Sequence, residues 1–335
     1  MSENEQTKRI FVGGLGRSGT TIMAQLMGRH SDVFGMEWET RFIVDVDGLG
    51  DLVDALSVNW AGPVTGGEKV RRFRRMMTRD LVERDAAPYE GYSMYDHFDA
   101  EHYDATVRDF LDGLIEAEWP AFSMQSGRSL SITTQQDGED VHIEVRTGQR
   151  SRILPRYFER EEAARLAADF VDRLFGGKGR ALGRRHWCEK TPHNILSPYP
   201  RLLFPDSYIV HMVRDPRDVV SSIGSGSHNW GGPDARMAAK WAEGFYKKWL
   251  DIRSQYQDDE RYIEIFFEDF IAEPKKTMTL LCERIGLKPE PAMWETDLSR
   301  HNIGRHRTGL SRDDIDVIER DVIPLACSAG FGRYL

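Results

Sequence analysis

Residues 9–21, RIFVGGLGRSGTT, constrain the fold of this chain more than any other segment. The apolar run 10–12 is typical of a buried parallel strand. The glycines that follow permit a tight loop with close backbone approach: Gly13, Gly14, Gly16 and Gly19. Apolar residues then recur at helical spacing: Ile22, Met23, Leu26 and Met27. Strand, glycine loop and helix in this order direct backbone N–H groups at one point, which predicts an anion site.

The loop differs from a nucleoside-triphosphatase P-loop at one decisive position. Gly14 and Gly19 have the P-loop separation, but Thr20 stands where that motif requires lysine, and the loop's cation is Arg17. A kinase that uses ATP and Mg²⁺ is therefore an alternative that this loop disfavours. We expect the loop to hold a terminal 5′-phosphate through these residues: Gly16, Arg17, Ser18, Gly19, Thr20 and Thr21.

Composition limits the class of protein. A chain of 335 residues fits one large α/β domain or two small ones, and we expect a single domain over residues 1–335. The net charge of −9 argues against a nucleic-acid partner bound over the whole surface. Scattered cysteines, and histidines without ligand spacing, predict neither a disulfide framework nor a metal site. Without an apolar signal core or a membrane span, a cytoplasmic location is expected.

Three further strand ends carry candidate site residues. The apolar run 208–213 leads into Arg214, and Ser222 follows on a helix that opens with Asp218 at or near its cap. An arginine fork and a hydroxyl suit a phosphate group. Residues 33–38 and 186–190 predict strands that end at Glu39 and at Lys190. A solvated Glu39–Arg41 pair and a surface lysine are the alternatives for these two ends.

Residues 50–180 are interpreted as an insertion of helices and a hairpin that covers the acceptor site. In the segment 129–147, a two-residue turn at 137–138 would pair Leu130 with Val145 and Ile132 with Ile143. Residues 160–175 predict a helix, and the glycine-rich run 176–179 a flexible join back to the main fold.

Several of these motifs resemble the sulfotransferases that use 3′-phosphoadenosine 5′-phosphosulfate as donor. The loop 17–21 is similar to their 5′-phosphosulfate loop, in the arginine form of the tyrosylprotein and carbohydrate branches. Further motifs of these branches and of bacterial members are similar to four segments of this chain: 39–41, 189–192, 214–222 and 303–311. The resemblance covers about residues 9–41 and 186–330. It implies an α/β fold of the P-loop-like kind, with a central parallel sheet flanked by helices.

The resemblance also implies roles for individual residues. Glu39 matches the proposed general base. Glu37 is an alternative because the spacing is offset by one residue, and His193 is another because it lies close to Lys190 in the sequence. Lys190 and Arg17 match groups near the transferring sulfuryl group. Arg214 and Ser222 match the ligands of the nucleotide 3′-phosphate, and either Arg305 or Arg307 closes over the nucleotide. Gly226 departs from relatives that have an arginine there.

The implied reaction moves a sulfuryl group to a hydroxyl and leaves adenosine 3′,5′-bisphosphate as the product, with no metal required. The acceptor is expected to be a glycan, a lipid or a small metabolite, and peptide tyrosine is less expected. A P-loop kinase and a non-catalytic nucleotide-binding protein of the same fold are the alternatives. The sequence leaves the oligomeric state open.

Overall fold

A computed structural model describes residues 6–83, 93–121, 129–136, 139–146, 150–224, 231–256, 258–296, 298 and 302–334. The chain forms two units, Met1–Asp45 with Val171–Leu335, and Val46–Phe170. The bounds of the second unit, residues 46–170, are close to those predicted for the insertion, residues 50–180. The single-domain organisation and the role of the insertion as a cover stay predictions.

The strands, in chain order, are β1 (Arg9–Gly14), β2 (Val33–Glu39), β3 (Ile115–Ala121), β4 (Ser129–Gln136), β5 (Glu139–Arg146), β6 (Arg150–Pro155), β7 (His186–Lys190), β8 (Tyr208–Val213) and β9 (Tyr262–Phe266). The helices are α1 (Thr20–Met27), α2 (Leu49–Leu56), α3 (Gly62–Arg75), α4 (Ala100–Leu114), α5 (Arg160–Val171), α6 (Gly177–Ala181), α7 (Tyr199–Leu203), α8 (Pro216–Gly224), α9 (Ala235–Arg253), α10 (Phe267–Ala272), α11 (Pro274–Ile285), α12 (His306–Gly309), α13 (Arg312–Asp321) and α14 (Ile323–Ser328).

The first unit is built on a five-stranded sheet in the order β2-β7-β1-β8-β9. Each neighbouring pair runs parallel. The strands are almost fully buried, as expected of a parallel sheet with helices on its faces. Apolar side chains of β1, β8 and β9 pack with those of α1 and α11 in one core. This arrangement confirms the predicted α/β fold with a central parallel sheet.

Two glycines, one at the end of β1 and one in the loop that follows, are required by close contacts. Gly14 has a φ of 149°, and a Cβ there would lie 2.4 Å from the carbonyl oxygen of Met212 in β8. Gly19 has a φ of 92°, and its Cβ would lie 2.6 Å from the ring of Phe267. The sequence pattern indicated close backbone approach here, and the structure shows which neighbours impose it.

In the second unit, β3 pairs with β6 and β4 pairs with β5, both antiparallel. The predicted hairpin register is confirmed, since Leu130 lies opposite Val145 and Ile132 opposite Ile143. The turn at 137–138 and the side chains of the hairpin lie outside the described residues. The prediction that the hairpin borders the acceptor opening therefore stays a prediction.

The predicted flexible join at 176–179 is wrong, because this run is helical. A π-helical turn, Asp172–Gly176, follows α5 and continues into α6. A Cβ at Gly179 would lie 3.1 Å from the backbone oxygen of Arg184 and 3.4 Å from the Cβ of Phe34. The glycine thus permits close packing against β2, which local sequence does not reveal.

Within the described ranges, no helix is long and apolar enough to cross a membrane.

We predict that Gly14→Ala lowers the free energy of unfolding by about 1–3 kcal/mol or more, since alanine is strained at this φ and would push β1 away from β8. Gly244→Ala is the matched control: this exposed glycine lies inside α9 with nothing near its Cβ position. We expect the control to gain about 0.5–1 kcal/mol from helix propensity. Urea denaturation measures both, and equal stabilities would contradict the close approach of β1 and β8.

Candidate functional site

The candidate site lies where the carboxyl ends of four parallel strands meet. In the register of the sheet, Val12 of β1 and Glu39 of β2 both pair with Lys190 of β7. On the other side of β1, Gly14 pairs with Met212, two residues before Arg214. The pairing therefore brings together segments that are far apart in the sequence.

The glycine loop turns sharply between β1 and α1. The amide of Ser18 donates to the carbonyl of Leu15 at 3.0 Å, and Arg17 has a φ of 70°. The side chain of Ser18 is buried, and its Oγ has no hydrogen-bond partner. A buried hydroxyl without a partner, next to the N-terminus of α1, is a group that a bound anion can satisfy.

Two arginines contact Ser222 on α8, and a third, Arg214, contacts the backbone on either side of them. The Oγ of Ser222 accepts from Nε of Arg17 at 3.0 Å and from Nη1 of Arg305 at 3.2 Å. Arg214 donates through Nη1 to the backbone oxygen of Arg17 at 2.7 Å and through Nη2 to the backbone oxygen of Asn302. The structure thus brings the predicted loop arginine and one tail arginine to the predicted serine, and it joins the strand-end arginine to the backbone of the loop arginine.

The Arg214 guanidinium is buried, and its Nε has no hydrogen-bond partner. It lies 4.7 Å from the ring centroid of Phe267, a cation–π distance. Burial lowers the pKa of Arg214 from its usual value; Asp218 and Glu268 oppose this shift, and the positive charges of Arg305 and Arg17 add to it. Mutual repulsion of the three cations would be relieved by an anion among them.

A second group of charges lies at the ends of β2 and β7. Nζ of the buried Lys190 donates to Oε1 of Glu39 at 3.3 Å, and Nη1 of Arg41 donates to Oε2 at 3.2 Å. One third of the Glu39 side chain, 33%, is exposed. Burial lowers the pKa of Lys190, and the Glu39 carboxylate partly offsets that shift. A buried lysine beside a partly exposed carboxylate can stabilise negative charge next to a proton acceptor.

Glu189 is a residue of this region that the sequence analysis did not single out. Its carboxylate is fully buried beneath the site and accepts from Oγ1 of Thr40 at 2.7 Å, Oγ1 of Thr191 at 3.3 Å and Nδ2 of Asn194. Burial raises the pKa of Glu189 to about 7, although these hydrogen bonds and Lys190 oppose the shift. This carboxylate thus links Thr40, which follows Glu39, to Thr191, which follows Lys190. In the sequence, only the position of Glu189 at a strand end pointed to a role at the site.

The other predicted residues are placed as follows. His193 is half exposed, and its Nδ1 lies 3.7 Å from Oδ1 of Asp45. Arg307 is exposed, whereas Arg305 reaches Ser222. Within the loop, Gly16 and Thr20 are buried, and Thr21 is exposed. The side chain of Glu37, and all of Gly226, lie outside the described residues.

Asp215, Asp218 and His306 form a cluster with the residue types of a metal site. N–H groups already engage their oxygens. Both oxygens of Asp215 accept from the guanidinium of Arg217. Asp218 accepts from the amides of Gly304 and His306 and approaches the His306 ring nitrogen at 2.6 Å. We therefore interpret the cluster as a structural anchor. As predicted, Asp218 lies in the first turn of α8, near its cap, and its carboxylate holds a segment that is distant in the sequence.

The sulfotransferase family model matches residues 9–291, and the chain belongs to this family. It is similar to protein-tyrosine sulfotransferase 2 of Gallus gallus, with 26% identity over 175 residues. That match covers 44% of this chain and 46% of the relative, so the chain matches less than half of the relative's length.

Two solved structures are similar at low identity. The sulfotransferase domain of the Synechococcus PCC 7002 olefin synthase has 15% identity and a TM-score of 0.48, and the match covers 95% of this chain and 96% of that one. Sulfotransferase STF1 of Mycobacterium tuberculosis H37Rv has 16% identity and a TM-score of 0.41, with 95% and 77% covered.

The raised pKa of Glu189 predicts a pH dependence of stability. Because the folded state holds this proton up to about pH 7 and an unfolded glutamate loses it near 4.5, the contribution of Glu189 falls as the pH rises between these values. The stability of the wild type relative to Glu189→Gln should fall by up to about 1.4 kcal/mol per pH unit in this window and be level above it.

Urea denaturation at a series of pH values measures this difference. Glu260→Gln, at an exposed position of the same unit, is the control and should track the wild type. A constant difference between wild type and Glu189→Gln across the window would show that the buried carboxylate does not titrate there.

Proposed function

We propose that this chain transfers a sulfuryl group from 3′-phosphoadenosine 5′-phosphosulfate to a hydroxyl acceptor. Membership of the sulfotransferase family supports the reaction class. The observation that carries the choice of donor is the pairing of Arg17 and Arg305 with Ser222, while Arg214 contacts the backbone of Arg17 in the glycine loop. A nucleotide with phosphates at its 3′ and 5′ ends would supply one anion to the arginines beside Ser222 and one to the glycine loop.

The polar atoms of the site fit such a nucleotide. The 3′-phosphate would take the guanidiniums of Arg214 and Arg305 and the hydroxyl of Ser222 as its ligands. The 5′ end would take the loop amides and the hydroxyl of Ser18. Support comes from Ser18 Oγ and Arg214 Nε, two buried polar atoms without a partner. Charged donors bind phosphate oxygens more strongly than they bind neutral carbonyls or hydroxyls.

In the proposed reaction, the acceptor oxygen attacks sulfur in line while the bond between sulfur and the 5′-phosphate oxygen breaks. Glu39 takes the hydroxyl proton as general base. The cations of Lys190 and Arg17 stabilise charge on the sulfuryl oxygens and on the leaving phosphate. Glu39 accepts from Lys190 on one oxygen and from Arg41 on the other, and each carboxylate oxygen has a second lone pair that can take the proton of the acceptor hydroxyl.

The acceptor is proposed to be a hydroxyl of a glycan, a lipid or a small metabolite. The similarity to a protein-tyrosine sulfotransferase makes tyrosyl peptides the natural comparison in any screen. The proposal that residues 50–180 select the acceptor rests on the sequence alone, since insertions on a rigid scaffold commonly carry specificity.

We predict that adenosine 3′,5′-bisphosphate stabilises the fold more than ATP with Mg²⁺ does. At about one hundred times its dissociation constant, a ligand adds roughly 2.7 kcal/mol to the free energy of unfolding. Thermal melts with each nucleotide measure the difference. Greater stabilisation by ATP with Mg²⁺ would favour the kinase alternative, and binding without transfer to any acceptor would favour the non-catalytic one.

Arg214→Ala should weaken binding of adenosine 3′,5′-bisphosphate by about 1.5–3 kcal/mol, the range for a hydrogen bond to a charged group. Isothermal calorimetry measures the dissociation constant, and circular dichroism checks that the variant folds. Arg320→Ala removes an exposed arginine paired with Asp321 and serves as the control. An unchanged dissociation constant in Arg214→Ala would remove this residue from the site.

Glu39→Gln should lower turnover by about 10²–10⁴-fold while nucleotide affinity persists, because the substitution keeps size and removes the base. Transfer from radiolabelled donor is measured with whichever acceptor a panel of glycans, lipids, phenols and tyrosyl peptides identifies. Glu37→Gln and His193→Gln are the matched comparisons. If Glu39→Gln keeps near wild-type turnover and one of the comparisons loses it, the base has been assigned to the wrong residue.

A further inference from the structure

We propose that Asp218 is a positioning residue that fixes the segment 302–309 against α8 and so places Arg305 at the 3′-phosphate site. The inference rests on the proposed function, because it assigns a purpose to a contact of the proposed nucleotide site. Asp218 itself would touch no phosphate. Its effect would pass through the backbone of the two residues that flank Arg305.

The hydrogen bonds of Asp218 bracket Arg305. Oδ2 accepts from the amide of Gly304 at 2.7 Å, and Oδ1 accepts from the amide of His306 at 3.0 Å. The Nδ1 atom of His306 lies 2.6 Å from the same Oδ1. The carboxylate is buried, as is the His306 ring. A buried carboxylate that accepts several N–H groups fixes their relative positions strongly, since leaving any of them unpaired is costly.

The geometry of α8 explains why this anchor delivers Arg305 to Ser222. Asp218 and Ser222 are four residues apart on one helix and therefore lie on the same face. One turn of α8 holds the backbone on both sides of Arg305, and the next turn receives its guanidinium, with Nη1 3.2 Å from the serine Oγ.

The segment itself is shaped for close contact with α8. Gly304 has a φ of 72°, which an alanine adopts only with strain. A Cβ at Gly309 would lie 2.4 Å from Oγ of Ser221. At the other end, Arg214 donates to the backbone oxygen of Asn302. The same contacts leave Arg307 exposed, so the anchor selects Arg305 as the tail arginine of the site.

The test compares two nucleotides that differ only in the 3′-phosphate, adenosine 3′,5′-bisphosphate and adenosine 5′-monophosphate. Calorimetry gives both dissociation constants for the wild type, Asp218→Asn, Arg305→Ala and the double variant. Asparagine keeps the size of the side chain and replaces one acceptor oxygen by a donor facing an N–H group. We expect Asp218→Asn to weaken the bisphosphate by about tenfold or more and to change the monophosphate little.

A positioning role also predicts non-additivity. If Asp218 acts through Arg305, the double variant should bind the bisphosphate about as weakly as Arg305→Ala alone, because the second change removes nothing further. Additive losses, or equal losses for both nucleotides, would instead show a general structural role and overturn the inference. Asp321→Asn, at the end of α13, is the control and should keep both affinities.

If Asp218→Asn does not fold, Gly304→Ala takes its place. Its Cβ would meet nothing closer than 3.7 Å, so the change strains only the backbone beside Arg305. It should show the same selective loss, and an unchanged bisphosphate affinity would refute the positioning role. A wild type that does not prefer the bisphosphate would overturn the proposed function and this inference together. A preference that Asp218→Asn retains would overturn the inference alone.

Discussion

The parallel pairing of β1 with β7 on one side and β8 on the other determines where Lys190 and Arg214 lie relative to the glycine loop. Lys190 ends β7 beside Val12, and Arg214 follows β8 just beyond the partner of Gly14. A slip of one residue in either pairing would turn the side chains of that strand to the opposite face of the sheet. The contact between Gly14 and the Met212 carbonyl opposes such a slip, because no other residue type fits there without strain.

The cations of the site lie near buried carboxylates. Glu189 is buried beside Lys190, and Asp218 and Glu268 both act on Arg214. Burial raises the pKa of Glu268 to about 7, and its Oε1 accepts from the amide of Asp215 at 2.9 Å. The protein as a whole carries a net charge of −9. The net negative charge disfavours a polyanion spread across the surface, and the clustered arginines beside the glycine loop suit a small anionic ligand.

Local periodicity was sufficient to predict β1 with its loop and α1, the strand before Arg214, and the hairpin register, since each depends on neighbouring residues. The contacts that complete the site depend on residues far apart. Thr40 and Glu189 are separated by 149 positions, and Asp218 and Gly304 by 86. For the same reason the sequence could not choose between Arg305 and Arg307, and it suggested a flexible join where Gly179 packs against β2.

The interruption of the sheet by Val46–Phe170 has a consequence for synthesis on the ribosome. Among the described strands, β1 and β2 pair with strands that are made later, beginning with β7 at His186–Lys190. At a synthesis rate of about 5–20 residues per second, the apolar strand β1 stays unpaired for on the order of 10 s before β7 is made. Residues 46–170 are complete before that moment and make their own strand pairings. The unit Val46–Phe170 can thus fold before the five-stranded sheet, whose strands precede and follow it in the sequence.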